Sequence, residues 1–358
     1  MRSFAALGND LYTGRTSFDF VRRWRKLLAL GAILVVASVV VVAVKGLNPG
    51  IEFRGGSEYR ISGTATTEEQ PARDAVADVV PDAEPPVVTT IGGSSVRVQT
   101  ERLTDDQTNA VGDALAEAYD VDRSEITQSF VGPTWGADIT RQALIGLAIF
   151  LAIVTVVIAV YFRDVAMAGA AMVALVHDLA ITVGVYALVG FEVTPASVIG
   201  FLTILGFSLY DTVVVFDKVR EQTAGVLEGR GRTFLEQVNL AVNQTVVRSI
   251  NTSVVAVLPI AAILFIGALL LGAGTLRDVS LALFVGTLVG AYSSLFVAPA
   301  FLGFLKGRDP AVTAHDALVA EHRAAEAEGR EPVEPLRPAV AATGGGSTRV
   351  PRPDGDRG

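Results

Sequence analysis

The sequence predicts a polytopic α-helical membrane protein with six membrane-spanning helices and one folded α+β domain, of about 95 residues, between the first span and the second. Three observations carry this. Apolar residues make up 51% of the 358-residue chain and charged residues only 18%, against about 25% charged in ordinary soluble domains. The apolar excess is gathered in blocks long enough to cross a bilayer. The stretch between the first two blocks is instead polar and acidic, with turn residues at intervals.

Crossing the hydrocarbon core takes about 20 apolar residues as a helix. The first such block is roughly Leu27–Val44, the second Ala143–Phe162 and the third Val165–Val189. The fourth is about Ala196–Phe216, the fifth Val246–Leu271 and the sixth Val279–Leu305. The first block is long for a signal-peptide core, and no small-residue cleavage site follows Val44, so it reads as a retained anchor. Lys and Arg placement sets the expected orientation. Arg15, Arg22, Arg23, Arg25 and Lys26 precede the first span. Lys218, Arg220, Arg230 and Arg232 join the fourth to the fifth, Arg163 follows the second, and Lys306 and Arg308 follow the sixth. The other side holds Glu192 in one short loop and Arg277 in the next. Both ends are expected in the cytoplasm. The expected segments are therefore a cytoplasmic start, 1–26, the first span, 27–44, an extracytoplasmic domain, 45–141, the remaining spans, 142–305, and a cytoplasmic tail, 306–358.

Within the domain, Glu58–Ser62 predicts a strand and Thr67–Val80 a helix with acids in its first turn. Val87–Ile91, Gly92-Gly93 and Ser95–Thr100 predict a hairpin. Thr104 and Gln107 have capping-box spacing ahead of a helix to Tyr119, and Ile126–Val131 predicts a last strand. The order β-α-β-β-α-β is the ferredoxin-like split unit. That fold hosts many functions, and no nucleophile triad or paired carboxylates mark it as an enzyme. From about Thr313 to Gly358 the chain is rich in Pro, Gly, Ala and charge and is expected to be disordered.

Composition excludes several chemistries. The chain has no cysteine, so disulfides and thiolate sites are ruled out. His177, His315 and His322 are too scattered for a zinc site, and no metal or other cofactor is expected. The formal net charge is −8, with the acids crowded in the domain and the tail, which argues against nucleic acid as a partner.

Ionisable residues inside the spans are the functional candidates, since a charge at the bilayer centre costs about 2.5–3.5 kcal/mol on insertion scales. Asp211 lies in the fourth span, about 9 Å inside its inner end, with Ser208 and Thr212 close enough in sequence for local hydrogen bonds. Arg248 begins the fifth span at similar depth. Two readings stand for each. Asp211 is a structural acid or a proton carrier, and Arg248 pairs with it or snorkels to the interface. His177 and Asp178 lie near the middle of the third span, about 100° apart on its surface, as a structural pair or part of a proton relay. In the proton reading, protonating Asp211 weakens its hold on Arg248 and lets the helices repack. A membrane potential supplies about 2.3 kcal/mol per charge per 100 mV for such a step. Gly286 and Gly290 form a GxxxG pattern in the sixth span, read as packing within the bundle or a subunit contact. Pro195, Pro259 and Pro299 mark helix starts or kinks.

The motifs resemble the SecF family, membrane subunits that pair with SecD in bacterial protein export. Gly206–Glu221, reading Gly-Phe-Ser-Leu-Tyr-Asp-Thr-Val-Val-Val-Phe-Asp-Lys-Val-Arg-Glu, is similar to the family's fourth-span signature. Asn243–Ser253 is similar to its fifth-span motif, and Ala174–Asp178 to its third-span motif. Gly50–Gly56 resembles the segment that opens the domain; Leu11-Tyr12 and Ser17-Phe18-Asp19-Phe20 also fit. Tyr210 stands where the family often has a small amide or polar residue, and Glu52 where an Asp is common. The resemblance implies an accessory, non-enzymatic subunit of the Sec translocase. It is expected to be related to resistance-nodulation-division transporters and to sit in the cytoplasmic membrane beside SecD, the SecYEG channel, the SecA motor and unfolded exported polypeptide. It implies proton-motive energy, with Asp211 and Arg248 at the proton-coupling positions. The competing expectations are a half-size transporter of that superfamily, exporting small molecules or lipids, and a passive membrane scaffold.

Overall fold

In hydrocarbon a backbone must satisfy all of its polar groups internally, so apolar blocks of spanning length close as helices. The structure is a computed structural model and describes residues 10–329 apart from 12, 14, 21, 22, 92, 93 and 271–273. The helices are α1 (Trp24–Lys45), α2 (Gln70–Val79), α3 (Asp105–Ala118), α4 (Pro133–Phe162) and α5 (Val165–Val189). They continue with α6 (Pro195–Thr223), α7 (Phe234–Ala262), α8 (Gly274–Tyr292), α9 (Ala298–Lys306) and α10 (Pro310–Ala327). A π-helical stretch, Ile263–Leu270, extends α7, and a π turn, Ser293–Val297, joins α8 to α9 as one rod. Among the described residues six helices are long and apolar enough to cross a membrane: α1, α4, α5, α6, α7 with its extension, and α8–α9.

Each expected span is present, and several helices outrun their apolar block. α4 starts at Pro133, directly after Gly132, and α7 starts at Phe234 behind a Thr233–Glu236 capping box. Hydropathy reads only the part of a helix that matches the hydrocarbon; caps and an N1 proline set where the helix begins. Pro195 takes that N1-type position in α6 behind the Thr194 cap, and Pro299 does so in α9, while Pro259 lies inside α7.

Four strands form the sheet of the inserted domain: β1 (Gly56–Ser62), β2 (Val87–Ile91), β3 (Ser95–Thr100) and β4 (Ile126–Val131). The spatial order is β2-β3-β1-β4, all neighbours antiparallel, with Tyr59 opposite both Val98 and Gln128. This is the arrangement the β-α-β-β-α-β order implies. The Gly92-Gly93 turn lies outside the described residues. Tyr59, Ile61, Val96 and Val98 share a core with Ala72, Val76, Val111 and Leu115 from α2 and α3. The Tyr59 hydroxyl donates to the Thr108 carbonyl at 3.0 Å, and burial pushes its pKa up to about 12. The Thr104–Gln107 capping box forms. Gly56 has φ +137, and a Cβ there would come within 2.4 Å of the Thr100 carbonyl oxygen, so only glycine fits.

The tail expectation needs correction. Residues 310–327 form α10 rather than disordered chain. Ala-rich sequence with apolar residues at helical spacing buries Val312, His315, Val319 and Ala325. Arg323 then pairs with Glu236 at 2.7 Å and donates to the Gly231 carbonyl at 2.9 Å, docking α10 against the start of α7. Residues 330–358 lie outside the described residues. Near the chain start, two amides of α7 grip an extended segment. Asn243 accepts from the Phe18 amide at 2.8 Å and donates to its carbonyl at 2.9 Å, and Asn239 accepts from the Phe20 amide.

Glycines set the closest helix approach. A Cβ on Gly286 would fall 2.2 Å from Ile204 Cδ1, and one on Gly290 3.0 Å from Ser208 Cβ. The GxxxG pattern therefore packs α8 on α6 inside the bundle. Gly286→Leu is expected to abolish recovery of a monodisperse protein from detergent, because backbone and side chain cannot both stay in place; an unaltered elution profile and melting point would contradict that.

At the Lys306 end of the bundle, Asp164 caps α5 through the amides of Ala166 and Met167 and pairs with Lys306 at 2.8 Å. Burial opposes its charge, but the lysine and the two amides outweigh burial and hold its pKa below the ordinary value. Because the folded pKa is depressed, this stabilisation is present at neutral pH and is lost as pH falls through the folded value. Asp164→Ala is expected to cost about 1 kcal/mol at neutral pH, read as a lower thermal midpoint in detergent, with the difference shrinking at acid pH.

Candidate functional site

Two carboxyl groups are buried inside the bundle, each bonded to one of the consecutive residues Ser293 and Ser294. Asp178 of α5 is 0% exposed and Asp211 of α6 is 4% exposed. Asp178 Oδ2 accepts from Ser208 Oγ of α6 at 2.5 Å and from Ser293 Oγ at 2.7 Å. Asp178 Oδ1 lies 3.1 Å from His177 Nδ1. Asp211 Oδ1 accepts from Ser249 Oγ of α7 at 3.1 Å, and Oδ2 from Ser294 Oγ at 2.9 Å. The cluster thus draws on α5, α6, α7 and the π turn between α8 and α9.

Local geometry explains the pattern. Ser293 and Ser294 are consecutive and point in different directions, so each reaches a different carboxyl. They open the π turn Ser293–Val297, and such single wide turns recur at functional sites. Ser249 faces Asp211 because α7 packs against α6. Arg248, its neighbour, points about 100° away and is exposed.

Of the two readings for Arg248, the ion pair with Asp211 is not formed in this chain; the side chain is exposed. The Arg248 side chain has no hydrogen bond or ion pair among the described residues. The local hydrogen bonds expected for Asp211 also differ. Ser208 serves Asp178, and Thr212 Oγ1 is buried without a partner. Tyr210 is 57% exposed and turned away from the cluster. His177 and Asp178 are both buried, on adjacent faces of α5. The His177 ring lies 6.1 Å from the Tyr292 ring, and its Nε2 has no partner. That nitrogen would be 3.3 Å from a Cβ on Gly31 of α1.

Sequence reasoning missed Ser293 and Ser294 and assigned Ser249 no role. Two adjacent hydroxyls in an apolar span, seven residues beyond Gly286, were the available signal. Hydroxyls matter here because each can donate to a carboxylate or accept from a carboxylic acid. The cluster keeps its hydrogen bonds in either protonation state, which an arginine or a backbone amide partner would not allow.

Comparison with known proteins gives the chain its relatives. The family model described as protein export membrane protein SecD/SecF, C-terminal, matches residues 110–308, and the SecD/SecF GG motif matches residues 40–66. The matched segment includes Gly55-Gly56 of the β1 entry. The protein translocase subunit SecF of Streptomyces coelicolor is 42% identical, over 93% of this chain and 89% of that protein. The SecF of Mycobacterium tuberculosis strain H37Rv is also 42% identical, over 87% of this chain and 72% of its own length. The crystal structure of SecDF from Thermus thermophilus superposes with a TM-score of 0.70 at 31% identity, covering 82% of this chain and 39% of that one. The chain thus spans about two fifths of the SecDF protein it resembles. With its membrane bundle, its inserted domain and its SecF relatives in agreement, the chain belongs to the SecD/SecF family of protein-export membrane proteins, on the SecF side.

Proposed function

We propose that this multi-pass membrane protein, an accessory component of the Sec translocase by family, works with SecD to turn the proton motive force into export of polypeptides. The observation that carries the reading is the Asp211 cluster: a buried carboxyl held only by hydroxyls of neighbouring helices, able to exchange a proton within the membrane. Protonation changes which partner donates in the bonds from Ser249 and Ser294, and so biases the packing of α7 and of the π turn against α6. The energy comes from the proton gradient, with no cofactor and no enzymatic step.

Arg248 supports the partnership. An unpaired guanidinium in a spanning segment is costly, and here it lies on an exposed face of α7, three residues before the exposed Asn251. A second membrane half, carrying a carboxylate at the same depth, would satisfy it. SecD is that half in this reading, and the fused SecDF relative has room for one. In the assembled state Arg248 answers to the SecD carboxylate as well as to the charge on Asp211. The inserted domain then faces outward and both chain ends face the cytoplasm, where the SecA motor works; the SecYEG channel and the unfolded polypeptide complete the assembly. The small-molecule exporter reading finds less support, since the relatives are named protein translocase subunits.

Export of a secreted protein into membrane vesicles holding the complete translocase tests this. Asp211→Asn is expected to reduce proton-driven export to the level seen without the chain, and Arg248→Ala to do the same while weakening recovery of SecD with the chain. If both variants export like the unaltered protein, the polar cluster is only structural and the passive scaffold is correct. Ser249→Ala with Ser294→Ala removes both donors to Asp211, each worth about 1.5–3 kcal/mol when the acceptor is charged. A severalfold slower proton-driven export is expected, with recovery in Ser294→Thr, which keeps the hydroxyl.

A further inference from the structure

Away from Asp178 and Asp211, the inserted domain meets the bundle twice: the short helix Ile51–Arg54 packs on the start of α4, where Gly136 lies against the Phe53 carbonyl, and a second, polar joint forms at the α5–α6 hairpin. Asn48–Pro49 pairs in parallel with Glu192–Val193, the short segment between α5 and α6, and the Gly50 amide donates to the Val193 carbonyl at 2.8 Å. Glu192 is 6% exposed. Its two oxygens are taken by two side chains of β3: Arg97 Nη2 on Oε2 at 2.5 Å, and Gln99 Nε2 on Oε1 at 2.7 Å. Gln99 also donates to Glu58 of β1 at 2.9 Å. The two sides of the joint are thus held by charge-assisted bonds on a buried carboxylate.

The bundle side is equally fixed. The Ser197 hydroxyl donates to the Glu192 carbonyl at 3.3 Å, Thr194 caps α6 and donates to Asp278 of α8 at 3.2 Å, and the Tyr186 hydroxyl of α5 donates to the Asp278 carbonyl at 3.0 Å. Glu192 therefore sits at the apex of the α5–α6 hairpin, and the two arms of that hairpin carry Asp178 and Asp211. From the Thr194 cap to Asp211, α6 is one continuous helix, about 25 Å at 1.5 Å per residue. A rigid rod of that kind carries a shift of an ångström or two from one end to the other, the scale typical of helix movements in switching proteins.

We propose that Glu192, held by Arg97 and Gln99, is the positioning residue that transmits movement of the α5–α6 hairpin to the inserted domain. This rests on the proton-driven reading above. A buried ion pair adds little net stability compared with apolar packing, but it fixes orientation and register. Here the two-pronged grip makes the domain follow the hairpin rather than slide on it. The space is also set for it. A Cβ on Gly50 would lie 2.4 Å from Glu52 Oε2, 3.0 Å from Glu192 Oε1 and 3.3 Å from Thr194 Cγ2. A branched side chain at position 50 thus crowds both Glu192 and Thr194, although φ there suits any residue. Glu52, whose Oε2 is buried without a partner, packs beside Glu192; burial first, and the charges of Glu192 and Glu58 after it, push its pKa up.

The chain has no cysteine, so paired labels can be placed freely. Spin labels at Glu117→Cys on α3 and Val189→Cys at the end of α5 report the distance between domain and bundle in the complex with SecD, reconstituted in vesicles. Proton entry and polypeptide export are measured on the same preparations. For Glu192→Gln and, separately, Gly50→Val, the expected results are a broadened distance distribution, at least tenfold slower proton-driven export, and proton entry within twofold of the unaltered protein. Loss of export with retained proton movement is the mark of uncoupling, which general misfolding would not produce. A narrow, unchanged distance with full export in both variants overturns the proposal, as does loss of proton entry in parallel with export. Failure of the proton-driven reading is seen separately, as proton entry in the unaltered complex that does not depend on Asp211.

Discussion

The structure turns on one requirement: two carboxyl groups inside an apolar bundle must have every oxygen satisfied without water. In hydrocarbon, an unpaired polar group costs several kcal/mol. The bundle meets this with hydroxyls. Ser208, Ser249, Ser293 and Ser294 converge from α6, α7 and the π turn, and His177 adds a ring nitrogen. To place them, the helices must approach closely, which the glycines at 286 and 290 allow. The π turn then lets two successive serines serve two different helices.

That same choice of partner separates holding a charge from exchanging one. A guanidinium beside Asp211 would fix it as a carboxylate. Serines can bond to either protonation state. Arg248, one residue from Ser249, sits just off this cluster and faces outward. Arg248 thus stands on the exposed surface of the bundle while Asp211 is buried where the helices pack.

The inserted domain is tied to the helices that carry the carboxyls. The tie includes a short strand pair, one ion pair and one amide bond on Glu192, beside the packing of Ile51–Arg54 on the start of α4, while the sheet keeps its own core around Tyr59 and Val98. At the other end, Asp164 with Lys306, and α10 with the start of α7, brace the bundle ends.

The sequence by itself determined the spans, the β-α-β-β-α-β order, the capping box at Thr104, and Asp178 and Asp211 as the acids to watch. These follow from local rules: hydrocarbon thickness, side-chain periodicity, capping chemistry and the cost of a buried charge. Only the tertiary structure decided what those acids touch. Adjacent helix positions diverge by about 100°, so whether Ser249 or Arg248 meets Asp211 depends on how α7 is rotated, which packing sets. The serines of the π turn escaped notice because a hydroxyl is unremarkable in sequence until its neighbours are known. The helix 310–327 was hidden by composition, since its burial comes from contacts with α7 and the loop before it. Glu192 read as a surface acid of a short loop, and only the meeting of that loop with β3 made it a joint.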